Sequence, residues 1–200
     1  MEIKRLIIGI SASLVILVTN GLYQLASADE STTPHHAAAA AQRQGADREP
    51  AGDLLRAVRD STRRFRNVEQ AKAEGYLLMF GCVSGPDDGA MGLHYVNLEL
   101  VGDPALDPSR PEIVIYEPLP NGGRRLIGAD FLVFAESWHA SNTATPQIMG
   151  QLMHLIESPN RYGLPAFYTL HVWAWKPSPT GPFVNWHADV SCEQFDGKEP

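Results

Sequence analysis

The sequence lacks the short motifs that identify the common nucleotide-binding and hydrolytic enzymes. Its 200 residues contain no G-x-x-x-x-G-K-[ST] loop, no G-x-G-x-x-G turn and no H-E-x-x-H pair. In the glycine-flanked run over residues 81–85, Ser84 stands one residue too late for the G-x-S-x-G nucleophile elbow. These absences argue against P-loop and Rossmann enzymes, α/β-hydrolases and zinc peptidases, and they leave less familiar enzyme classes open.

Basic residues are scarce in the second part of the chain. The formal net charge is −7, and residues 75–200 hold six basic against fourteen acidic side chains. Nucleic-acid binding depends on clustered Lys and Arg that neutralise phosphates, so this composition argues against a nucleic-acid partner. Arg56, Arg59, Arg63 and Arg66 do repeat at helical spacing. This stripe is either a solvated helix face or a docking surface for an anionic lipid or acidic partner.

Hydrophobic runs are short. The longest, residues 6–18, has 13 residues, whereas a comfortable bilayer span needs about 20. Lys4 and Arg5 precede this run, and an Ala-Ser-Ala sequence ending at Ala28 follows it. This pattern predicts a secretory signal peptide over residues 1–28, cleaved after Ala28, and a periplasmic or secreted protein that is not integral to a membrane after cleavage. A retained signal anchor is the alternative.

Cysteine is also rare, because Cys82 and Cys192 are the only two. In an exported protein two thiols usually form a disulfide, so we predict a Cys82–Cys192 bond. It would tie the C-terminal end of the chain to the early part of the domain. The alternative is a nucleophilic Cys82, which would need a lowered thiol pKa and a nearby base.

The composition divides the exported part of the chain into two regions. Residues 29–50 are rich in alanine and polar residues and have few large apolar side chains. Such a segment buries too little surface to offset its ordering entropy, which predicts a flexible tether. Residues 51–200 are then one domain of ordinary size.

The domain pattern predicts an α+β fold. A helix is predicted over residues 53–74, ending at Gly75, and a Thr-Pro pair predicts a short helix over residues 147–157. Strands are predicted over residues 76–80, 93–101, 113–117, 124–134 and 166–175, the third and fourth forming a hairpin around Asn-Gly-Gly. We therefore expect an antiparallel or mixed sheet with an N-terminal helix and a short helix before the last strand, stapled by one disulfide.

Two acidic residues occupy strand faces that should be buried. Period-two alternation places Asp130 with Leu126 and Leu132, and Glu117 with Ile113. A buried carboxylate needs a partner, a metal ion or a shifted pKa. Asp130 and Glu117 are therefore candidate ligand-binding residues. The alternative for Asp130 is a structural contact with a neighbouring arginine or a loop amide.

Three histidines are candidate metal ligands. His94 shares a strand face with apolar residues, and His171 shares one with Trp173, a candidate for stacking on a flat ligand. His154 falls on the polar side of the predicted short helix. Together with a carboxylate they could bind one zinc, copper or iron ion. No two histidines of the domain have the close spacing of local metal motifs, so ordinary structural roles are the alternative.

Several runs carry a family resemblance. The sequences FGCVSG at residues 80–85, AMGLHYVN at 90–97 and LHVW at 170–173 resemble those of an uncharacterised family of exported bacterial proteins. The resemblance implies no particular activity, but it places His94 and His171 inside shared motifs. RLIGADF at residues 125–131, followed by HVW, is similar to runs of the oil-body-associated protein family. That similarity implies a binding or lipid-surface role.

These observations favour an exported binding protein for a small ligand or metal ion. Its pocket would lie near His94, Asp130 and His171. A metal-dependent periplasmic hydrolase or oxidoreductase that uses the same residues is the second hypothesis. A module that contacts a protein or lipid surface through the arginine stripe is the third.

Overall fold

Helical segments open the described part of the chain. The computed structural model describes residues 51–85 and 87–198, so the predicted signal peptide and tether (residues 1–50) lie outside the described residues. The helices at this end are α1 (residues 51–62), a 3-10 turn (Arg63–Arg66) and α2 (Val68–Ala73). The predicted single helix is broken at Asn67, whose side-chain oxygen accepts a 3.1 Å hydrogen bond from the Glu69 backbone N–H and caps α2.

Six antiparallel strands form the main sheet, five of them in regions where the sequence pattern predicted strands. They are β1 (Tyr76–Ser84), β2 (Ala90–Asn97), β3 (Ile113–Pro118), β4 (Arg124–Phe134), β7 (His154–Ile156) and β8 (Phe167–Val172). Their spatial order is β1-β2-β3-β4-β8-β7. Three shorter elements lie outside the main sheet: α3 (Leu98–Val101), α4 (Ala135–His139) and a hairpin of β5 (Gln147–Ile148) and β6 (Gln151–Leu152).

The predicted strand over residues 93–101 is too long at its C-terminal end. The chain leaves β2 after Asn97, because the Asn97 side-chain oxygen accepts hydrogen bonds from the backbone N–H groups of Glu99 (3.0 Å) and Leu100 (3.3 Å). These bonds cap α3 and begin a helical turn where the alternation of Leu98 and Leu100 suggested a strand.

The predicted helix over residues 147–157 is wrong, although a short helix, α4, does precede the last strand. Met149 and Gly150 have φ angles of 46° and 83°. Two successive positive φ angles are the signature of a two-residue hairpin turn, so the chain reverses between β5 and β6. The next residues pair with β8 as strand β7. Tertiary pairing overrides the helix-like spacing of the apolar residues here.

The two faces of the sheet are covered differently. On one face α1 and α2 pack over strand residues such as Tyr95, Phe131 and Leu170. The opposite face carries Ile113, Leu132 and other apolar residues, and the C-terminal segment covers it with side chains that include those of Val184, Val190 and Cys192. The candidate polar residues of the sheet, His94, Asp130 and His171, lie on this second face, away from the helices.

A bulge between β3 and β4 changes one predicted neighbour. The pairing shifts between Ile115–Gly128 and Tyr116–Leu126, so β4 carries an extra residue there. Leu126 consequently packs with Tyr116 on the helix side, whereas Leu132 stays on the face of Asp130. The predicted grouping of Asp130 with Leu132 is confirmed, and its grouping with Leu126 is wrong.

The predicted disulfide is confirmed. Cys82 and Cys192 are bonded across 110 residues of sequence, so the alternative of a nucleophilic Cys82 thiol is wrong. The bond attaches the C-terminal segment to β1. Within residues 51–85 and 87–198, no helix is both long and apolar enough to cross a membrane.

The arginine stripe does not form a continuous helical face, because α1 gives way to the 3-10 turn at residue 63. Each of its four side chains already contacts a group of the same chain. In sequence order, Arg56, Arg59, Arg63 and Arg66 contact Asp53, the carbonyl of Ala174, Asp60 and the ring of Trp175. A role in binding an anionic partner stays a prediction.

Candidate functional site

Three strands bring His94, Asp130 and His171 together. Asp130 on β4 and His171 on β8 are direct cross-strand partners. Ile113 of β3 pairs with Asp130 on one side and with Val96 of β2 on the other, and His94 lies two residues before Val96 on the same face. His94 therefore reaches the other two side chains across β3. All three are buried, with 7%, 3% and 3% of their surface exposed.

The ligand-type atoms of this cluster all lie within 4.8 Å of one another. His171 Nδ1 is 3.8 Å from Asp130 Oδ1, and the two imidazole rings meet edge to face with centroids 5.8 Å apart. His94 Nδ1 faces the Gly92 carbonyl oxygen at 3.3 Å. A carbonyl only accepts, so this contact places the His94 proton on Nδ1 and leaves the lone pair on Nε2.

Asp130 is held by its strand neighbours. Its Oδ1 accepts hydrogen bonds from the Thr169 hydroxyl at 2.6 Å and from the Leu170 backbone N–H at 3.1 Å. Burial nevertheless raises the pKa of Asp130 to about 6, against the opposing effect of these hydrogen bonds. The carboxyl group is therefore largely ionised at neutral pH and gains a proton as the pH falls through about 6.

Both imidazoles are neutral at physiological pH. Burial, together with the neighbouring His171, lowers the pKa of His94 to about 4. Burial also lowers the pKa of His171 to about 3, with a second contribution from His154. The Asn185 side chain lies close enough to raise the pKa of His171, against the effect of burial. The contact between the two side chains does not have the geometry of a hydrogen bond. Neutral imidazoles are the form that binds metal ions.

Several buried polar atoms at this site lack a hydrogen-bond partner. Among the described residues, none provides one for Nδ1 or Nε2 of His171 or for Oδ1 of Asn185. A buried polar group without a partner costs about 1–3 kcal/mol, and most such groups in proteins have one. These atoms are therefore the polar groups of the pocket that the described residues leave without a partner.

The cluster forms the polar part of a partly open pocket with a cavity volume of about 50 Å³. Thr169 and Asn185 contribute the other polar side chains. The remaining lining residues are apolar or aromatic: Phe80, Val83, Met91, Val96, Ile113, Leu132, Ile156, Tyr162, Leu164 and Phe167. An apolar pocket with a few converging polar groups is typical of small-molecule and cofactor sites.

Phe80 reaches the pocket from a bulge in β1. Phe80 and Gly81 have φ angles of 63° and 64°, and the pairing with β2 shifts between Met79 and Cys82. The left-handed conformation is unusual for a phenylalanine and is found disproportionately at binding sites. The Phe80 ring packs against Tyr162, with ring centroids 5.6 Å apart, so the two rings form one wall of the pocket.

The other candidate residues lie outside the cluster. Glu117 forms ion pairs with Arg125 and, at 2.7 Å, with Lys176, and it does not line the pocket. Trp173 is buried beside the His171 ring, with centroids 5.6 Å apart. His154 is exposed on β7 and does not belong to the group of mutually close ligand atoms. The structure thus brings together two of the three candidate histidines with Asp130.

Sequence reasoning missed several residues of the pocket. Period two places Thr169 on the His171 face of β8, but nothing in the sequence distinguishes this threonine as a site residue. Phe80, Tyr162 and Asn185 come from a bulge and from loops, for which hydrophobic periodicity gives no signal.

Compared with protein families, with curated proteins and with solved structures, the chain matches none of them. The resemblances to an exported bacterial family and to oil-body-associated proteins stay predictions. Any functional conclusion therefore rests on the chemistry of the site itself.

Proposed function

We propose that this protein binds one divalent transition-metal ion at His94, Asp130 and His171. The observation that carries the proposal is the convergence of two neutral imidazoles and one carboxyl group in a buried, otherwise apolar pocket. Among the described residues, neither ring nitrogen of His171 has a hydrogen-bond partner. A metal ion would bind one of these two nitrogens. Two imidazoles and a carboxylate form a donor set that suits zinc and iron(II).

The geometry fits a metal ion after a small contraction. Ligand bonds of about 2.0–2.1 Å put the ligand atoms of a tetrahedral ion about 3.3 Å apart. The candidate atoms lie within 4.8 Å, so side-chain shifts of about 1 Å would close the site. Three protein ligands would leave the fourth position of a tetrahedral ion open to an outside ligand.

Metal titration of protein purified without a His tag and stripped with a chelator tests this proposal. We expect about one Zn²⁺ per chain for the unchanged protein, and at least about a hundred-fold weaker binding for His171→Ala and Asp130→Asn. His154→Ala is the matched control, since His154 is an exposed histidine of the same sheet and should leave Zn²⁺ binding unchanged. Equal loss in His154→Ala, or no stoichiometric zinc, contradicts the proposal.

The pH dependence gives a second readout of the same site. A metal ion competes with protons for its ligands, and Asp130 is the ligand with the highest pKa of the three, at about 6. Zinc affinity should therefore fall as the pH drops below about 6, with one proton taken up for each ion released. Affinity that is flat down to about pH 4 would contradict a ligand set that includes a carboxyl group protonated near pH 6.

A metal-dependent hydrolase is the second candidate, because an open coordination position could hold a water molecule. Among the described residues that line the pocket, the only ionisable side chain beyond the three ligands is that of Tyr162, and burial raises its pKa. The pocket therefore offers no general base near neutral pH, which favours binding over hydrolysis. Hydrolysis of para-nitrophenyl acetate that requires zinc and is lost in His171→Ala would reverse this order.

We also propose that the protein acts outside the cytosol, after cleavage of the predicted signal peptide at Ala28. The Cys82–Cys192 disulfide supports this, because structural disulfides form and persist mainly in oxidising compartments. Mass spectrometry of protein recovered from the periplasm or medium should give a mature chain that begins at Asp29. A chain that keeps Met1 in the membrane fraction would favour the retained signal anchor.

A further inference from the structure

We propose that the metal-loaded pocket binds an apolar monoanion, a carboxylate with a hydrocarbon tail, whose head group occupies the open position of the ion. This inference rests on the proposed metal site and names the ligand class that the apolar lining of the pocket favours. Charge, the arrangement of polar groups and the shape of the wall each contribute to it.

Charge balance requires an anion. A divalent ion held by two neutral imidazoles and one carboxylate leaves a net charge of +1 in a buried site. Among the described residues, those that line the pocket include no further Asp or Glu to neutralise this charge. A buried uncompensated charge is costly, so a ligand with a single negative charge is favoured over a neutral or cationic one.

The arrangement of polar groups restricts the ligand to one small head. Thr169 binds Asp130 directly, and Asn185 lies beside His171, so the polar side chains gather around the proposed ion. Phe80, Leu132, Ile156 and other apolar side chains form the rest of the lining. The body of a ligand in this pocket would contact hydrocarbon and aromatic rings only, which favours an apolar tail.

The wall made by Phe80 gives the tail a specific contact surface. Phe80 is 47% exposed even though its ring packs against Tyr162, so the residue has free surface beside the pocket. Leu77 on the same strand is 54% exposed but does not line the pocket. The two residues form a matched pair for testing whether a tail contacts this wall.

Octanoate is the probe for the test, with Co²⁺-loaded protein as the reporter, because a carboxylate that enters the coordination sphere changes the visible Co²⁺ spectrum. We expect saturable binding of octanoate at least about tenfold tighter than that of acetate, which lacks the tail. Octylamine and 1-octanol should leave the spectrum unchanged. Apoprotein should bind octanoate at least about tenfold more weakly than loaded protein by calorimetry.

Variants separate the tail contact from the metal site. Phe80→Ala should weaken octanoate binding about three- to tenfold while Co²⁺ binding stays unchanged, and Leu77→Ala should change neither. If Co²⁺ binds but octanoate binds no better than acetate, the inferred ligand class is wrong and the metal site stands. If octanoate binds equally with and without Co²⁺, its coordination to the ion is excluded. If Co²⁺ itself does not bind, the proposed function fails first.

Discussion

His171 and His187 are both buried histidines of the same region, but their ring nitrogens have different surroundings. His187 Nδ1 accepts a hydrogen bond from the Asp189 backbone N–H at 3.2 Å, and its Nε2 faces the Lys176 carbonyl oxygen at 3.3 Å. His171 has neither kind of contact. His187 is thus a satisfied structural histidine, whereas the described residues provide no hydrogen-bond partner for either ring nitrogen of His171. This difference, rather than burial, identifies His171 as a candidate ligand.

Glu112 is a buried acid that the proposed site does not use. It is 1% exposed, and its Oε2 accepts a 3.1 Å hydrogen bond from the Leu132 backbone N–H. Burial raises the pKa of Glu112 to about 8. The folded state therefore holds this proton more tightly than the unfolded state does. The stability contributed by protonation is fully present below the unfolded pKa and is lost as the pH rises through about 8.

We therefore expect Glu112→Gln to stabilise the protein between about pH 6 and 9. A glutamine keeps an acceptor for the Leu132 N–H but never ionises. Above the unfolded pKa, it therefore removes the free-energy cost of either protonating Glu112 on folding or burying its charged form. The gain in the free energy of unfolding at pH 8 should be roughly 1–3 kcal/mol and should vanish near pH 4, as measured by urea unfolding. Glu99→Gln, at an exposed position, is the control. A gain that does not depend on pH would contradict this account.

The residues of the cluster were predictable to different degrees. Alternation along the strands assigned His94, Asp130 and His171 each to a definite face of its own strand, because period two holds wherever a strand has no bulge. It could not show that β3 would lie between His94 and Asp130, since strand order depends on long-range pairing. His154 was grouped with them through a helix that does not form. A loop residue such as Asn185 has no periodic signal at all.

At the scale of elements, the hairpin of β5 and β6 shows why the predicted helix failed. The apolar residues of this segment are spaced for a helix, but Met149 and Gly150 take positive φ angles that a helix does not contain. Met149 is a poor residue for this turn. The left-handed conformation is strained for residues with a side chain, and methionine has no short polar group to offset the strain with a local hydrogen bond. The β3–β4 hairpin, in contrast, was predictable because Asn-Gly-Gly is a strong turn signal.

We expect Met149→Asn to stabilise this hairpin. Asparagine tolerates the left-handed conformation better than methionine, and Asn-Gly is the preferred pair for a two-residue turn. Met149 is 41% exposed, so little buried surface is lost. The free energy of unfolding should rise by about 0.5–1 kcal/mol in urea unfolding. Met149→Ala removes the same side chain without the preference for the turn and should not stabilise. Equal gains in both variants would mean that turn conformation is not the cause.

At the scale of the whole molecule, the two faces of the sheet are covered by different parts of the chain. One face packs against α1 and α2, which lie within the predicted N-terminal helix region. The other face holds the pocket and is covered by the C-terminal segment, which has little regular secondary structure and could not be predicted from periodicity. Two backbone contacts attach this segment to the sheet. One is the β-bridge between His187 and Ala90, and in the other the Trp173 backbone N–H donates to the Pro182 carbonyl oxygen at 2.9 Å. Its strongest attachment is covalent.

The disulfide should therefore contribute to stability and to the pocket together. The Cys82–Cys192 bond closes a loop with a sequence separation of 110 residues, and Cys82 directly follows the bulge that positions Phe80. We expect the double variant Cys82→Ser with Cys192→Ser to lower the free energy of unfolding by roughly 2–5 kcal/mol, chiefly because the unfolded chain is no longer constrained. The double variant avoids a single free thiol that could form mixed disulfides.

Urea unfolding measures this loss, with Ser84→Ala as a control on the same strand. The free C-terminal segment would also expose the pocket face, so hydrogen exchange of the β8 amides should speed up more than that of the β3 amides, which lie in the middle of the sheet. If stability falls but exchange rises equally in both strands, the disulfide acts only on the unfolded state. If stability does not change, the C-terminal segment is held by its noncovalent contacts alone, and the bond is dispensable for the fold.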